Sequence, residues 1–138
     1  MTNVIGAMNL IEGAHDAGVK KVVTLSTDKA YQPISPYGQS KALAESLFLA
    51  ANYARGQNGP LFSVTRYGNV WNSAGSVLPR WREAMAEGQP VQITDLNCTR
   101  FFMRMYQAVA LVWNTLQAME GGELVIPDEL AAYRLGDL

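Results

Sequence analysis

The sequence predicts an α/β protein built around a parallel sheet, and three observations lead to that prediction. Helical and extended patterns alternate along the 138 residues. The extended runs are short, rich in β-branched residues and bounded by charge or glycine, which is typical of strands covered on both faces. The helical runs carry apolar residues at three- and four-residue spacing, so each can cover the sheet with one face.

The first half of the chain is predicted to contain two helices around one strand. A helix over residues 2 to 17 follows from the apolar spacing and is capped at Gly18. The run KKVVTLST, residues 20 to 27, is predicted to be a central strand. Both sides of a second helix, residues 37 to 55, are weakly polar at most. We therefore expect it to pack on the sheet and on something else, either a partner subunit or the rest of a larger fold.

The second half continues the alternation. The same rules predict, in order, a strand over residues 61 to 70, a helix over 76 to 87, a short strand in VQITD (91 to 95), a helix over 104 to 119 and a last strand over 124 to 126. The sequence shows no internal repeat and no linker, so one domain is expected.

Composition narrows the classes of partner. The net charge of −1 leaves no basic surface for nucleic acid, and no apolar run approaches the length of a membrane span. Cys98 and His15 are single residues of their types, so neither a disulfide nor a Cys/His zinc site is predicted. A cytoplasmic protein that binds small molecules or other proteins fits best.

The stretch STDKAYQPISPYGQSK concentrates the ionisable groups. Tyr37 and Lys41 lie one helical turn apart, so the ammonium group can favour the phenolate of a general acid or base. The Y-x-x-x-K pattern alone is weak. Its position after a strand that ends in Ser26 and Thr27 strengthens it, because ligands bind at the carboxyl ends of parallel strands. By themselves, Asp28 and Lys29 also fit a solvated turn.

Several motifs in order resemble one family. The segments STDKA, YGQSK, FSVTRYGNVWNSAGSVLP, TRFFM and GGELVIP resemble the extended short-chain dehydrogenase/reductases, and within them the inverting UDP-N-acetylglucosamine 4,6-dehydratases and the CapD-like polysaccharide biosynthesis proteins. The similarity extends over nearly the whole chain. It implies a partial Rossmann-like domain over residues 1 to 138, with the catalytic half of the nucleotide-binding unit in 1 to 75 and the start of the substrate region in 76 to 138.

The resemblance implies a role for each residue of the crowded stretch. Tyr37 is the expected base at the sugar C4 hydroxyl, and Lys41 is expected to hold the nicotinamide ribose. Thr27 is expected to hydrogen-bond near the sugar O4. Asp28 is the expected acid for the departing C6 hydroxyl, and Lys29 the expected base for the C5 proton. Oxidation at C4 must come first, because the ketone acidifies the C5 proton.

The resemblance also implies the ligands. The expected cofactor is NADP, and the expected substrate is a nucleotide sugar of the UDP-N-acetylglucosamine type. The implied cofactor-binding residues are Tyr37, Lys41 and Asn69, and the implied substrate-binding residues are Asn69, Ser76, Thr99 and Arg100.

The sequence lacks the Gly-x-Gly-x-x-Gly turn with which such domains bind pyrophosphate. The family's first strands and C-terminal segment are also not recognisable, so we expect the isolated chain to be incompetent as a dehydratase. Three interpretations stay open. The chain is a truncated or split dehydratase that needs a second, nucleotide-binding chain, or a non-catalytic module that oligomerises through helices 2 to 17 and 37 to 55. Alternatively it is an epimerase or reductase of the same superfamily, against which the Asp28–Lys29 pair argues.

Overall fold

The computed structural model describes residues 2–74 and 76–138, which fall into two compact units. The first unit comprises the described residues up to Tyr67 together with Ala110–Pro127. The second unit comprises Gly68–Val109 and Asp128–Leu138. Each unit has its own three-stranded sheet.

The described helices and strands alternate as follows. The helices are α1 (Thr2–Asp16), α2 (Pro36–Ala54), α3 (Val77–Ala86) and α4 (Met105–Ala118), and two short 3-10 turns cover Asp28–Ala30 and Leu135–Asp137. The strands are β1 (Lys21–Thr27), β2 (Leu61–Tyr67), β3 (Asn69–Val70), β4 (Thr99–Met103), β5 (Leu124–Val125) and β6 (Ala131–Arg134).

The sheet of the first unit is parallel, in the order β1-β2-β5. Its core is apolar: Phe48 of α2 and Phe62 of β2 bury their rings with centroids 5.9 Å apart. The side-chain oxygen of Asn52, on the same face of α2, accepts a hydrogen bond from the Phe62 backbone N–H at 3.0 Å. Apolar packing and a polar contact together hold α2 along β2.

The helix ends follow local rules. Gly18 takes a positive φ of 63° just after α1, which confirms the predicted cap, because glycine adopts this conformation without strain. At the start of α2, the Ser35 hydroxyl accepts a hydrogen bond from the Gly38 N–H at 3.1 Å, and Pro36 occupies the first turn. Helices α1 and α2 are linked by a hydrogen bond from Asn3 to the Ser40 hydroxyl, 3.0 Å long.

The second unit has a mixed sheet. Strand β3 pairs in parallel with β4, which pairs antiparallel with β6. On this sheet, Trp71 stacks on Phe102 with ring centroids 4.5 Å apart, and Tyr133 meets both rings edge-on. These three rings form an apolar centre for the second unit.

Two strand predictions are wrong in detail. The strand predicted over residues 20 to 27 is β1 (Lys21–Thr27), but among the described residues β1 lies at the edge of the sheet and β2 in the middle. The burial pattern of a strand reports its faces and not its hydrogen-bonding edges. The predicted strand over 61 to 70 is two strands of different sheets, β2 and β3, separated by Gly68. A Cβ at Gly68 would lie 2.7 Å from the Phe101 carbonyl oxygen, so this close approach requires glycine.

The region after α3 was also predicted incorrectly. VQITD forms no strand; the Gln92 carbonyl accepts a hydrogen bond from the Trp81 indole at 3.2 Å instead of joining a ladder. Sequence reasoning missed β4 and β6. Strand β4 contains TRFFM, which has no alternating pattern, and β6 is exposed throughout, so neither carries a periodic signal.

Candidate active site

The predicted elimination pair lies in a 3-10 turn directly after β1. The Thr27 hydroxyl donates a hydrogen bond to Asp28 Oδ1 at 2.9 Å, and the Lys29 ammonium forms an ion pair with the same oxygen, also at 2.9 Å. The Lys29 and Asp28 side chains keep 41% and 24% of their surface exposed. The acid and the base are therefore in direct contact and still accessible from solvent.

Gly38 allows α2 to start against this turn. A Cβ at position 38 would lie only 2.3 Å from the Lys29 carbonyl oxygen and 3.1 Å from Cβ of Pro33. Any other residue would push the first turn of α2 away from the elimination pair. Sequence reasoning treated Gly38 only as a spacer in the Y-x-x-x-K pattern, because a close backbone approach leaves no mark in a single sequence.

Lys41 connects α2 to β1. Its ammonium group donates a hydrogen bond to the Leu25 carbonyl oxygen at 2.6 Å. Partial burial lowers the pKa of Lys41, and the negative charge of Glu45 opposes that change. An ammonium group has three donors, so two remain for a ligand after the contact with Leu25.

Two tyrosines share this end of the sheet. Tyr37, in the first turn of α2, is 52% exposed, as a proton acceptor for a bound substrate must be. Tyr67 ends β2 and is in register with Thr27 of β1. Burial, and secondarily the charge that Tyr37 carries when ionised, raises the pKa of Tyr67. Tyr67 therefore both ends β2 and lies within electrostatic reach of the predicted base.

A buried ion pair between α2 and β2 is a feature that sequence reasoning missed. Glu45 is 5% exposed and accepts two hydrogen bonds from Arg66, to Oε1 from Nε at 3.0 Å and to Oε2 from a terminal nitrogen. No local signal in the sequence indicated this pair, because its two residues lie on separate elements.

The predicted substrate-binding residues belong to the second unit. Asn69 donates a hydrogen bond to the Phe101 carbonyl oxygen at 3.1 Å. The Ser76 hydroxyl precedes α3 and is buried, with no hydrogen-bond partner among the described residues. Thr99 is exposed at the start of β4, and Arg100 donates hydrogen bonds to the Thr99 carbonyl oxygen at 2.8 Å and to the sulfur of Cys98.

The structure thus brings the nine predicted residues into two groups. Thr27, Asp28, Lys29, Tyr37 and Lys41 lie in the first unit; Asn69, Ser76, Thr99 and Arg100 lie in the second. The second unit also has a cavity of about 470 Å³ along one face of α3, lined in part by Arg80, Trp81 and Gln92. Trp81 is 9% exposed.

Within the described residues, no three metal-binding side chains come together. No helix in the same part of the chain combines the length and the apolar character that crossing a bilayer requires.

Comparison with known proteins identifies relatives of two reaction types. An uncharacterized membrane protein of Methanocaldococcus jannaschii is 45% identical over 99% of this chain and 41% of its own length. A UDP-N-acetylglucosamine 4,6-dehydratase (inverting) of Campylobacter jejuni is 44% identical over 91% of this chain and 38% of its own. A UDP-glucose 4-epimerase of Rickettsia canadensis is 41% identical over 91% of this chain and 37% of its own. The chain thus spans about two fifths of the length of these relatives.

Solved structures agree with the fold. The structure of Pen from Bacillus thuringiensis superimposes with a TM-score of 0.95 and 36% identity, over 98% of this chain and 42% of the other. MoeE5, in complex with UDP-glucose and NAD, superimposes with a TM-score of 0.88 and 26% identity, over 98% of this chain and 51% of the other. These similarities confirm the predicted α/β, partly Rossmann-like fold.

The family model for polysaccharide biosynthesis proteins matches residues 1–138. With dehydratase relatives at this level of identity, the match confirms the resemblance that the ordered motifs indicated. This chain therefore belongs to the polysaccharide biosynthesis protein family, within the superfamily of nucleotide-sugar dehydratases and epimerases.

Proposed function

We propose that this chain carries the catalytic residues of a UDP-N-acetylglucosamine 4,6-dehydratase of polysaccharide biosynthesis. The contact between Asp28 and Lys29 after β1 is the observation that carries the proposal. Elimination of water needs a proton donor and a proton acceptor side by side, and α2 starts directly against the turn that contains both.

The side chains divide the reaction among three proton transfers. Tyr37, as phenolate, accepts the proton of the C4 hydroxyl during oxidation at C4. The C4 ketone then acidifies the C5 proton, which Lys29 accepts. Asp28 donates a proton to the C6 hydroxyl, so that this group leaves as water.

The observed ion pair already contains the proton that the elimination requires. The reaction needs neutral Lys29 and protonated Asp28, whereas the ion pair has the same single proton on Lys29. A proton shift along the 2.9 Å contact interconverts the two forms. A substrate that excludes water from this turn favours the neutral form, because desolvation penalises charged groups most.

Lys41 and Tyr37 fit one end of a nicotinamide cofactor. The two remaining donors of Lys41 suit the hydroxyl groups of the nicotinamide ribose. The pyrophosphate has no matching Gly-x-Gly-x-x-Gly turn in this sequence. When bound, NADP supplies the hydride acceptor for C4 and the hydride donor for C6. Asn69 is proposed to contact the cofactor or the sugar.

The second unit is proposed to bind the nucleotide sugar. The Arg100 guanidinium group donates hydrogen bonds to the sulfur of Cys98 and to a backbone carbonyl oxygen. Both hydrogen bonds can be exchanged for hydrogen bonds to a diphosphate oxygen. The buried hydroxyl of Ser76 has no hydrogen-bond partner in the part of the chain that the structure describes, and it suits a polar ligand atom. Thr99, which precedes Arg100, adds an exposed hydroxyl.

A partner is proposed to complete the enzyme. The chain spans about two fifths of the length of its dehydratase relative, and the proposed partner is a complementary nucleotide-binding segment. Exposed apolar side chains on α1 and α2 suit a protein interface, with that segment or with a second copy of the chain; they include Ile5, Met8, Leu10, Leu43 and Tyr53. The cytoplasm, where nucleotide sugars are made, is the proposed location.

A second candidate function is epimerisation at C4. The 41% identity to a UDP-glucose 4-epimerase favours it. Epimerisation needs no acid for the C6 hydroxyl, so it leaves the Asp28–Lys29 contact without a chemical role. A non-catalytic interaction module is the third alternative.

Reconstitution separates these functions. The chain is mixed with a complementary nucleotide-binding half, NADP or NAD, and UDP-N-acetylglucosamine, and the sugar is followed by mass spectrometry and NMR. We expect a 4-keto-6-deoxy sugar formed with loss of one water. The Asp28→Asn variant should still oxidise C4 but stall before elimination, with reduced cofactor accumulating. A C4-inverted sugar formed without loss of water would establish the epimerase. The absence of any product would contradict both the dehydratase and the epimerase.

A further inference from the structure

Glu45 is an unusual residue for a helix face that packs on a sheet. The buried positions around it on α2 are Ala44, Phe48 and the polar anchor Asn52. A carboxylate that is 5% exposed costs several kcal/mol unless it is paired. Arg66 of β2 provides the pairing through two hydrogen bonds, and its own side chain is 18% exposed.

Helix anchoring alone does not explain this pair. Replacing a buried ion pair by well-packed apolar side chains is often neutral or stabilising, and Phe48 already anchors the next turn of α2 in that way. A charge at position 45 has a specific neighbour, because residues four apart lie on the same side of a helix. That neighbour is Lys41.

Lys41 needs a nearby negative charge. Its ammonium group is partly buried, and its hydrogen-bond partner, the Leu25 carbonyl, carries no formal charge. The burial lowers the pKa of Lys41, whereas Glu45 raises it. Among the described residues, Lys41 forms no ion pair with Glu45, and both oxygens of the Glu45 carboxylate accept hydrogen bonds from Arg66.

The hydrogen bonds from Arg66, which clamp the Glu45 carboxylate, therefore separate the electrostatic effect of Glu45 on Lys41 from a direct contact between these two side chains. Glu45 acts on Lys41 through its field, and Arg66 keeps the carboxylate from drawing the ammonium group into a direct contact. The ammonium group stays at the end of β1, where Tyr37 and the elimination pair are found.

We propose that Glu45, clamped by Arg66, is a positioning residue for Lys41 that holds the ammonium group at the carboxyl end of β1 and keeps it charged. This role rests on the proposed function, in which Lys41 holds the nicotinamide ribose and supports Tyr37. The proposal adds the buried pair of Glu45 and Arg66 to the residues that the reaction needs. This pair acts through Lys41.

Other charges around α2 are placed differently. Asp28 and Lys29 neutralise each other in the 3-10 turn. The remaining titratable or charged groups on α2 and on the elements packed against it are Tyr37 and Tyr53 on α2 itself, Tyr67 on β2, Lys21 at the far end of β1, and Glu12, His15 and Asp16 on α1. Of these groups and Glu45, Glu45 is the one whose charge shifts the pKa of Lys41.

The test is an NMR titration of Lys41 in the intact chain labelled with carbon-13 and nitrogen-15 lysine. Glu45→Gln removes the charge and keeps the shape of the side chain. Glu12→Gln changes the net charge equally on an exposed face of α1 and serves as the matched control. We expect the titration midpoint of Lys41 to fall in Glu45→Gln and to stay at the wild-type value in Glu12→Gln. Equal midpoints in the two variants would overturn the proposal.

A second variant covers the case in which Glu45→Gln does not fold. The double variant Glu45→Met/Arg66→Met replaces the pair by apolar side chains of similar length, a change that buried ion pairs commonly tolerate. It too should lower the titration midpoint of Lys41, and an unchanged midpoint in this folded variant contradicts the proposal. Neither titration requires cofactor or sugar. A failure of reconstitution would therefore refute the proposed dehydratase and leave this result standing.

Discussion

Gly38 acts through the side chain that it lacks. Its backbone lies so close to the Lys29 carbonyl that a Cβ would overlap it at 2.3 Å, and this contact sets the start of α2 beside the elimination pair. Gly13 of α1 is a useful contrast, because a Cβ there meets no atom within 4 Å. The two helical glycines therefore differ in what they do: one allows a backbone contact, and the other only loosens its helix.

Alanine at these two positions should have opposite effects on stability. We expect Gly38→Ala to lower the free energy of unfolding by about 1–3 kcal/mol, because the new methyl group forces α2 away from the 3-10 turn. Gly13→Ala should raise it by about 0.5–1 kcal/mol through helix propensity. Urea denaturation followed by circular dichroism measures both. A Gly38→Ala chain as stable as wild type would contradict the contact.

At the scale of elements, one carboxylate organises the connection from α4 to β5. Glu123 accepts hydrogen bonds from the backbone N–H groups of Glu120 at 2.6 Å and Gly121 at 2.9 Å, and from the Ser63 hydroxyl of β2. Gly121 also has a positive φ of 99°, which suits glycine. The turn fixes β5 next to β2, where the Gly122 N–H bonds to the Phe62 carbonyl at 2.7 Å.

The Glu123 contacts predict a pH-dependent contribution to stability. Burial raises the pKa of Glu123, but the hydrogen bonds from Ser63 and the backbone outweigh it, so the pKa is below the ordinary value of 4.5. A lowered folded-state pKa means that the contribution is present above pH 4.5 and is lost as the pH falls through the folded-state pKa.

Urea denaturation at a series of pH values measures the contribution of Glu123 to stability. We expect Glu123→Gln to be less stable than wild type at neutral pH, and the difference to shrink as the solution is acidified below pH 4.5. The exposed Glu12→Gln change should give a small difference with no such trend. A Glu123→Gln deficit that persists undiminished in acid would show that the carboxylate charge is not responsible.

At the scale of the whole molecule, the chain combines the proposed reacting groups with a sequence that contains no Gly-x-Gly-x-x-Gly turn. The first unit brings Asp28 and Lys29 into contact and places Tyr37 and Lys41 at the start of the next helix. Within the described residues, β1 has a strand partner on one side only, which leaves its other edge available for pairing. Backbone donors for a pyrophosphate are not provided by any glycine-rich turn of this sequence.

The isolated chain should therefore bind NADP weakly. We expect isothermal titration calorimetry to give a dissociation constant no tighter than about millimolar, since only the nicotinamide ribose finds its donors. Adding the complementary nucleotide-binding half should tighten binding, and Lys41→Met should weaken it again. Micromolar binding by the chain alone would mean that a phosphate site exists where none is expected.

The sequence by itself determined the order of the main elements and the family. Apolar spacing located four helices, β-branched runs located β1 and β2, and the ordered motifs identified the family. These features are local: a helix or a strand that covers one face of a core repeats its apolar residues with its own period. The residues of YGQSK and STDKA are likewise close in sequence, so their proximity in space follows from two short elements.

Only the tertiary structure decided which distant groups meet. The Gly38 contact with the Lys29 carbonyl and the clamp of Arg66 on Glu45 join separate elements, and no local period encodes them. The same holds for β4 and β6, which are strands because their backbones pair with each other rather than because of their side-chain pattern. Periodicity reports the side of an element that is buried; the partner on that side is chosen by packing and hydrogen bonding across the fold.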